Sequence, residues 1–219
     1  MAARPKSVPA PTVERLCRYH RCLKRVRDSG TQRISSAVLA ALSGTTPEQV
    51  RKDLSYFGSF GRRGVGYDVE ELIAALETIL ACTQRRVAII GAGNLGLAIA
   101  RYLSRVGSGF EIAGVYDIDP ALVGRVVRGL RIRHVSMLRQ DIAEAPIDIG
   151  ILCVPERSAQ SAAEMAIRAG IRALLNFAPV TVRVPENVIV RDADVSADLE
   201  WLSFWLSART PHCGASGNG

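Results

Sequence analysis

The apolar run Val87-Ala88-Ile89-Ile90 leads straight into Gly91-Ala92-Gly93-Asn94-Leu95-Gly96, and a helical pattern then continues to Val106. Alone, G-x-G-x-x-G is a weak signal, because glycines gather in turns by chance. Between a strand and a helix it constrains the fold strongly, since each glycine then has a task. The first makes the tight turn, the second lets backbone approach a pyrophosphate, and the third lets the helix pack closely on the strand. The helix N-terminus adds favourable electrostatics for an anion. Asp117 closes the next apolar run, about twenty residues beyond Gly96. A carboxylate there can hold both hydroxyls of an adenosine ribose and repels a 2′-phosphate, so NAD(H) is expected rather than NADP(H). The plain alternative is a structural strand-turn-helix with no ligand.

The alternation persists after Arg86. Phe110–Tyr116 reads as a second strand ending at Asp117, and Ile149–Val154 as a fully apolar strand bounded by Pro155. Ser158–Gly170 reads as a helix and Ala173–Phe177 as a further buried strand. Strands separated by helices of this length imply parallel βαβ units with both sheet faces covered. The pattern predicts an α/β chain whose Rossmann-type parallel sheet occupies residues 85–192. Val195–Leu206 (VSADLEWLSFWL) reads as a last amphipathic helix within 193–208, and residues 209–219 have the composition of a disordered tail.

Charge sets the first third apart. Residues 1–66 hold 13 Lys and Arg against 4 Asp and Glu, whereas residues 67–219 hold 15 against 17. Such asymmetry points to a polyanionic partner for that third, most often nucleic acid. Residues 1–11, with three prolines, read as a flexible arm. Residues 12–84 then read as a winged helix-turn-helix. One helix runs from Thr12 to Asp28-Ser29-Gly30, and a second is capped by Ser35 or Ser36 and closed by Gly44. A third opens at Thr45 or Thr46 with Pro47 in its first turn and stops at Gly58. A glycine-rich hairpin follows as the wing, and a helix from Val69 to Leu80 completes the unit. In the third helix Arg51, Lys52, Ser55 and Tyr56 lie off the apolar Val50–Leu54–Phe57 face, as donors to base edges and phosphates in a major groove. The run Arg62-Arg63-Gly64 at the wing tip suits a narrow minor groove. The alternative is a solvated basic face on a helical oligomerisation module.

Catalysis is not expected. Lysine is absent after Lys52, and only His134 and His212 follow the basic third as histidines. Hydride transfer usually needs an acid or base beside the reacting ring, and the residues beyond the joint leave little for a substrate domain. An oxidoreductase tethered by its basic domain is the rival reading, and a sensor of another nucleotide such as CoA is a second. The five cysteines form no CxxC pair and have no zinc-site spacing, so no metal is expected, and idle thiols are favoured over a cysteine switch. No run of eighteen apolar residues is free of charge and no secretory signal opens the chain, so a cytoplasmic protein without a membrane span is expected.

The motifs QRISSAVLA, VRKDLSYFGSFGRRGVGYDV, IGAGNLG, VYDIDP, CVP, GIRALLNFAPV and LEWLSFWL, in order along nearly the whole chain, resemble the Rex family of redox-sensing transcriptional repressors. The resemblance implies a homodimer that binds palindromic operator DNA when NADH is scarce relative to NAD+ and leaves it when NADH binds. It implies groove contacts from Lys52 and the Arg62–Gly64 wing, and dinucleotide contacts from the Gly91–Gly96 loop (Ala92, Asn94 and Leu95 included) and Asp117. Val154-Pro155 and Phe177-Ala178-Pro179 are implied to lie near the cofactor. Also implied are a ligand-coupling triad of Arg15, Tyr102 and Asp194, and exchange of the Val195–Leu206 helix between subunits. Where some members carry a bulky aromatic after that aspartate this chain has Val195, which implies weaker packing on the nicotinamide.

Overall fold

The computed structural model describes residues 8–61, 64–80, 84–106, 109–127 and 129–209. The chain divides into two compact units, Met1–Thr83 and Gln84–Gly219. The first is built from α1 (Ala10–Asp28), β1 (Arg33–Ile34), α2 (Ser36–Ser43), α3 (Pro47–Ser55), β2 (Tyr67–Asp68) and α4 (Val69–Ile79). Helix α1 begins two residues before Thr12, because Pro11 falls in its first turn, where a missing N–H costs nothing. Ser35 accepts a hydrogen bond from the Val38 N–H to start α2, and Gly44 ends it in the left-handed region at φ 67°. Thr46 caps α3 through the Gln49 N–H, and Asp68 caps α4 through the Glu71 N–H. Leu16, Tyr19, Leu23, Val50, Leu54 and Leu76 bury the facing sides of α1, α3 and α4.

The tip of the expected glycine-rich hairpin, Arg62 and Arg63, lies outside the described residues. Strand β2 pairs antiparallel with β1, with Ile34 opposite Tyr67. A Cβ on Gly66 would meet the Ile34 carbonyl oxygen at 2.6 Å. The close strand pairing therefore needs that glycine, which sits at φ 84°. Among the described residues the wing is one strand and a loop, anchored on the segment between α1 and α2.

The second unit contains β3 (Arg85–Ile90), α5 (Asn94–Val106), β4 (Phe110–Asp117), β5 (Val126–Val127) and β6 (Leu130–His134). After a short 3-10 turn come α6 (Leu138–Glu144), β7 (Ile149–Leu152), α7 (Glu156–Ala169), β8 (Ala173–Asn176), β9 (Ile189–Asp192) and α8 (Val195–Arg209). The strand order is β5-β6-β4-β3-β7-β8-β9. Every pairing from β6 to β9 is parallel, and β5 joins antiparallel at one edge. The chain runs outward from β3 through β4 to β6, then returns to β7 on the other side of β3. That reversal puts a crevice at the carboxyl ends of β3 and β7, where open α/β sheets hold ligands. β6 escapes the sequence pattern because Leu130-Arg131-Ile132-Arg133-His134 alternates charge with only Ile132 buried, the texture of a strand near a sheet edge.

Helix α8 differs from its expected amphipathic form. Val195, Leu199, Leu202 and Leu206 make one stripe, and Trp201, Phe204 and Trp205 extend the apolar surface around the side. These side chains are 44–70% exposed. Trp205 packs edge-on against Trp201 and Phe204, with centroids 6.0 and 5.4 Å away.

The turn between β3 and α5 is crowded at Gly96 and open at Gly93. A Cβ on Gly96 would run into the carbonyl oxygen of Gly91, whereas one on Gly93 would meet nothing within 4 Å. Gly96→Ala is therefore expected to lower the unfolding free energy of the second unit by about 1–3 kcal/mol. Gly93→Ala should leave it within about 0.5 kcal/mol. Denaturant titration followed by far-ultraviolet circular dichroism checks the contrast.

Candidate functional site

Two sites emerge, one in each unit. In the first, Arg51, Lys52 and Ser55 on α3 and Tyr56 at its C-cap are all exposed, whereas Val50 and Leu54 are buried. An open cavity of about 780 Å³ lies between α3 and the wing loop. It is lined by Arg51, Ser55 and Gly64 and also by Ser35 and Ser36, which sequence reasoning used only as caps. Arg51 donates to Ser36 Oγ and to Glu48 Oε1, both at 2.8 Å, so its guanidinium is held in place before any ligand arrives. No hydrogen bond or ion pair to another described residue holds the Lys52 ammonium, while its carbonyl accepts from Ser55 Oγ at 2.7 Å. Arg62 and Arg63 lie outside the described residues.

Beneath this surface is a group that the sequence reading missed. Asp53, next to Lys52, has a fully buried side chain that receives five hydrogen bonds. Arg15 donates through Nε to Oδ2 at 2.6 Å and through Nη2 to Oδ1 at 2.8 Å. Tyr19 Oη donates to Oδ2 at 2.8 Å, Gln49 Nε2 to Oδ1 at 2.7 Å, and Thr12 Oγ1 to Oδ1 at 3.2 Å. Burial alone pushes the Asp53 carboxyl up, but hydrogen bonds from Arg15, Tyr19 and Gln49 outweigh it and leave the group below its ordinary value. Burial and the bond to Asp53 together push the Tyr19 hydroxyl up to about 12. The carboxylate thus stays charged, and the phenol protonated, throughout the neutral range. A signal was present in the sequence: Thr12, Arg15 and Tyr19 fall on one helical face with Leu16 and Leu23.

In the second unit a cavity of about 480 Å³ opens at the ends of β3, β4 and β7. Gly91, Gly93, Asp117, Val154 and Pro155 line it together. Gly91 sits at φ 103°, and a Cβ there would collide with the Cys153 carbonyl. The Ala92 N–H donates to Asp117 Oδ2 at 2.6 Å and the Asp119 N–H to Oδ1 at 2.9 Å. Each oxygen keeps a lone pair for a further donor. Asp117 therefore ties the glycine loop to the end of β4 as well as facing the cavity. Ala92 is buried, while Asn94 and Leu95 are exposed at the start of α5 and, with Gly96, lie outside the cavity lining. Ser158, Ser161, Met165 and Arg168 of α7 form a wall that the motif did not reveal.

Phe177, Ala178 and Pro179 do not line this cavity. Their path is set by Asn176, a fully buried amide at the end of β8. Its Nδ2 donates to the Val180 carbonyl and to Asp192, each at 2.8 Å, and its Oδ1 accepts from the Ala178 N–H at 3.0 Å. His134 is exposed and caps the turn after β6, with Nδ1 2.8 Å from Ser136 Oγ. In the proposed triad, Arg15 is engaged by Asp53, Tyr102 is 63% exposed, and Asp194 caps α8 through the Ser196 and Ala197 N–H groups.

Comparisons with known proteins cover both units. The family model "CoA binding domain" matches residues 83–180, and the model "Putative DNA-binding protein N-terminus" matches residues 7–55. The redox-sensing transcriptional repressor Rex of Syntrophomonas wolfei is 41% identical over 201 residues, covering 91% of this chain and 96% of that protein. The chain belongs to the Rex family of redox-sensing transcriptional repressors. A solved structure of RSP, a Rex-family repressor, in complex with β-NAD+ and operator DNA matches with TM-score 0.86 and 42% identity, covering 93% of this chain and 94% of that one. RSP in complex with β-NADH matches with TM-score 0.82 and 40% identity, covering 93% and 96%. The relatives are named as repressors, in accord with the expectation of binding without turnover.

The free thiol of Cys153, on the cavity wall, is pushed up to about 12 by burial. It is neutral at physiological pH, and a thiol rather than a thiolate is a poor nucleophile. Iodoacetamide at pH 8 should leave Cys153 unmodified in the folded protein on a timescale that fully alkylates the unfolded chain, as read by peptide mass spectrometry. Rapid labelling would revive the cysteine-switch reading.

Proposed function

We propose that this chain is a cytoplasmic repressor that binds palindromic operator DNA as a homodimer and releases it when NADH binds. The reading rests on one combination: a basic helix and wing in one unit, and in the other a glycine-loop cavity closed by a carboxylate. Each of these matches a family whose solved member carries operator DNA with β-NAD+ and, separately, β-NADH. Lys52 and the wing meet the DNA, with Arg51, Ser55 and Tyr56 beside them. Arg51 is already braced by Ser36 and Glu48, so it enters a groove with little further ordering, while Lys52 keeps the mobility of a phosphate grip.

Gly91 and Gly93 fit the pyrophosphate of the dinucleotide, Gly96 lets α5 pack against the turn behind them, and Asp117 fits the adenosine ribose. A phosphorylated ribose would face the Asp117 charge, which weighs against CoA in spite of the matched model's name. Both redox forms share those contacts, so the discrimination comes from the ring. NAD+ carries a cationic ring and NADH a neutral one, and an apolar environment favours the neutral form by desolvation. A ligand shifts an equilibrium only by its differential affinity for the two states. Burial of the reduced ring then favours a dimer whose recognition helices no longer meet successive major grooves, about 34–36 Å apart. The exposed apolar surface of α8 supplies the dimer contact, covered by the second copy, and the Val154-Pro155 and Phe177–Pro179 segments stand toward the nicotinamide.

Titration of an operator complex with each cofactor tests the reading. NADH is expected to release DNA at concentrations at least tenfold below those at which NAD+ does, and equal release would refute the switch. Asp117→Ala should weaken both cofactors and leave DNA affinity intact. Lys52→Met should weaken DNA and reduce the salt slope by about one, with cofactor affinity unchanged.

A further inference from the structure

The apolar face of α3 does not by itself explain how this helix is oriented. Val50 and Leu54 bury one side, but hydrophobic contact is non-directional and tolerates a roll about the helix axis. The helix radius, side chains included, is about 5–6 Å, so a roll of about 10° displaces a side-chain tip by about 1 Å. That is enough to take a donor out of the useful hydrogen-bond range of about 2.7–3.2 Å. A directional constraint is needed, and Asp53 is the group that provides one. It lies inside α3, fully buried, between Lys52 and Leu54. Four of its five hydrogen bonds come from Thr12, Arg15 and Tyr19 on a single face of α1. The fifth comes from Gln49, one turn earlier in α3.

We propose that Asp53 is a positioning residue for operator recognition. Its carboxylate, clamped by Arg15 and Tyr19, sets the roll of α3 about its own axis and so aims the exposed face that carries Arg51, Lys52 and Ser55 at the operator. A second consequence is that α1 and α3 move as one piece, so any displacement of the first half of α1 is delivered to the DNA-facing helix without slip. The proposal rests on the reading of α3 as the recognition helix, and it adds a residue that touches no DNA.

The test compares affinity for a palindromic operator with affinity for scrambled DNA of the same length, by fluorescence anisotropy of the full-length protein. Non-specific binding depends on the number of cations, which these variants keep at the surface, whereas specific binding depends on where they point. Asp53→Asn is expected to lower the operator-to-scrambled ratio at least tenfold while changing scrambled affinity less than twofold. Tyr19→Phe, which leaves the Arg15 clamp in place, should lower the ratio severalfold and keeps the test open if Asp53→Asn fails to fold. An unchanged ratio in the folded variants overturns the proposal, as does a parallel fall of both affinities. Amide hydrogen exchange of α3 is measured on the same samples. Should the wild-type protein show no preference for operator, the repressor reading falls. The lock is then judged by exchange alone: faster exchange in α3 of Tyr19→Phe supports it, and unchanged exchange overturns it.

Discussion

A carboxylate sealed away from water must be paired, and removing one partner of such a pair typically costs about 3–5 kcal/mol. Asp53 is in that position, and the N-terminal unit is arranged around it. The start of α1, the first turn of α3 and the phenol of Tyr19 all converge on two oxygens. The surrounding leucines supply most of the free energy of burial, but they would accept several orientations of the helices. The polar lock selects one. The surface that faces outward from α3 is a consequence of what is held inside it.

The second unit uses the same device in other places. Asp141 of α6 is nearly buried, and its Oδ2 accepts from Tyr116 Oη and Arg133 Nη1, each at 2.7 Å. This joins the cavity-lining strand β4 to β6 and α6. Burial and the bond to Asp141 push the Tyr116 hydroxyl well above its ordinary range, so it remains a donor at any physiological pH. Asn176 does comparable work between β8, β9 and the Phe177–Pro179 segment. The glycine loop is held from three directions: Gly91 N–H donates to the Tyr116 carbonyl at 2.8 Å, Ala92 N–H to Asp117, and Cys153 N–H to the Ile90 carbonyl at 2.7 Å. A dinucleotide therefore meets a loop whose backbone is already set.

Much of this was legible from residue order. The cap at Ser35, the left-handed Gly44, Pro47 in a first turn and the sequence from Val87 through Gly96 to Asp117 all act over a few residues, so they leave local marks. The wing shows the limit. Four glycines from Gly58 to Gly66 announce a turn, but the choice of β1 as the pairing partner joins residues more than thirty positions apart. Likewise β6 carries too little apolar character to be told from a loop, and it becomes a strand because β4 offers it an edge.

Order along the chain settled the two-part organisation, the Rossmann-type unit, the basic helix-turn-helix and the family. Each rests on short-range periodicity, on charge counted along the chain, or on motifs contiguous in sequence. Tertiary structure decided which polar residues are buried together, and contacts between distant segments set that. Asp53 looks in sequence like one more charged residue on a basic helix, and only the approach of α1 makes it the buried centre of five hydrogen bonds. Val195–Leu206 reads as an amphipathic helix, and only the folded chain shows that its own unit leaves those aromatic and aliphatic side chains exposed.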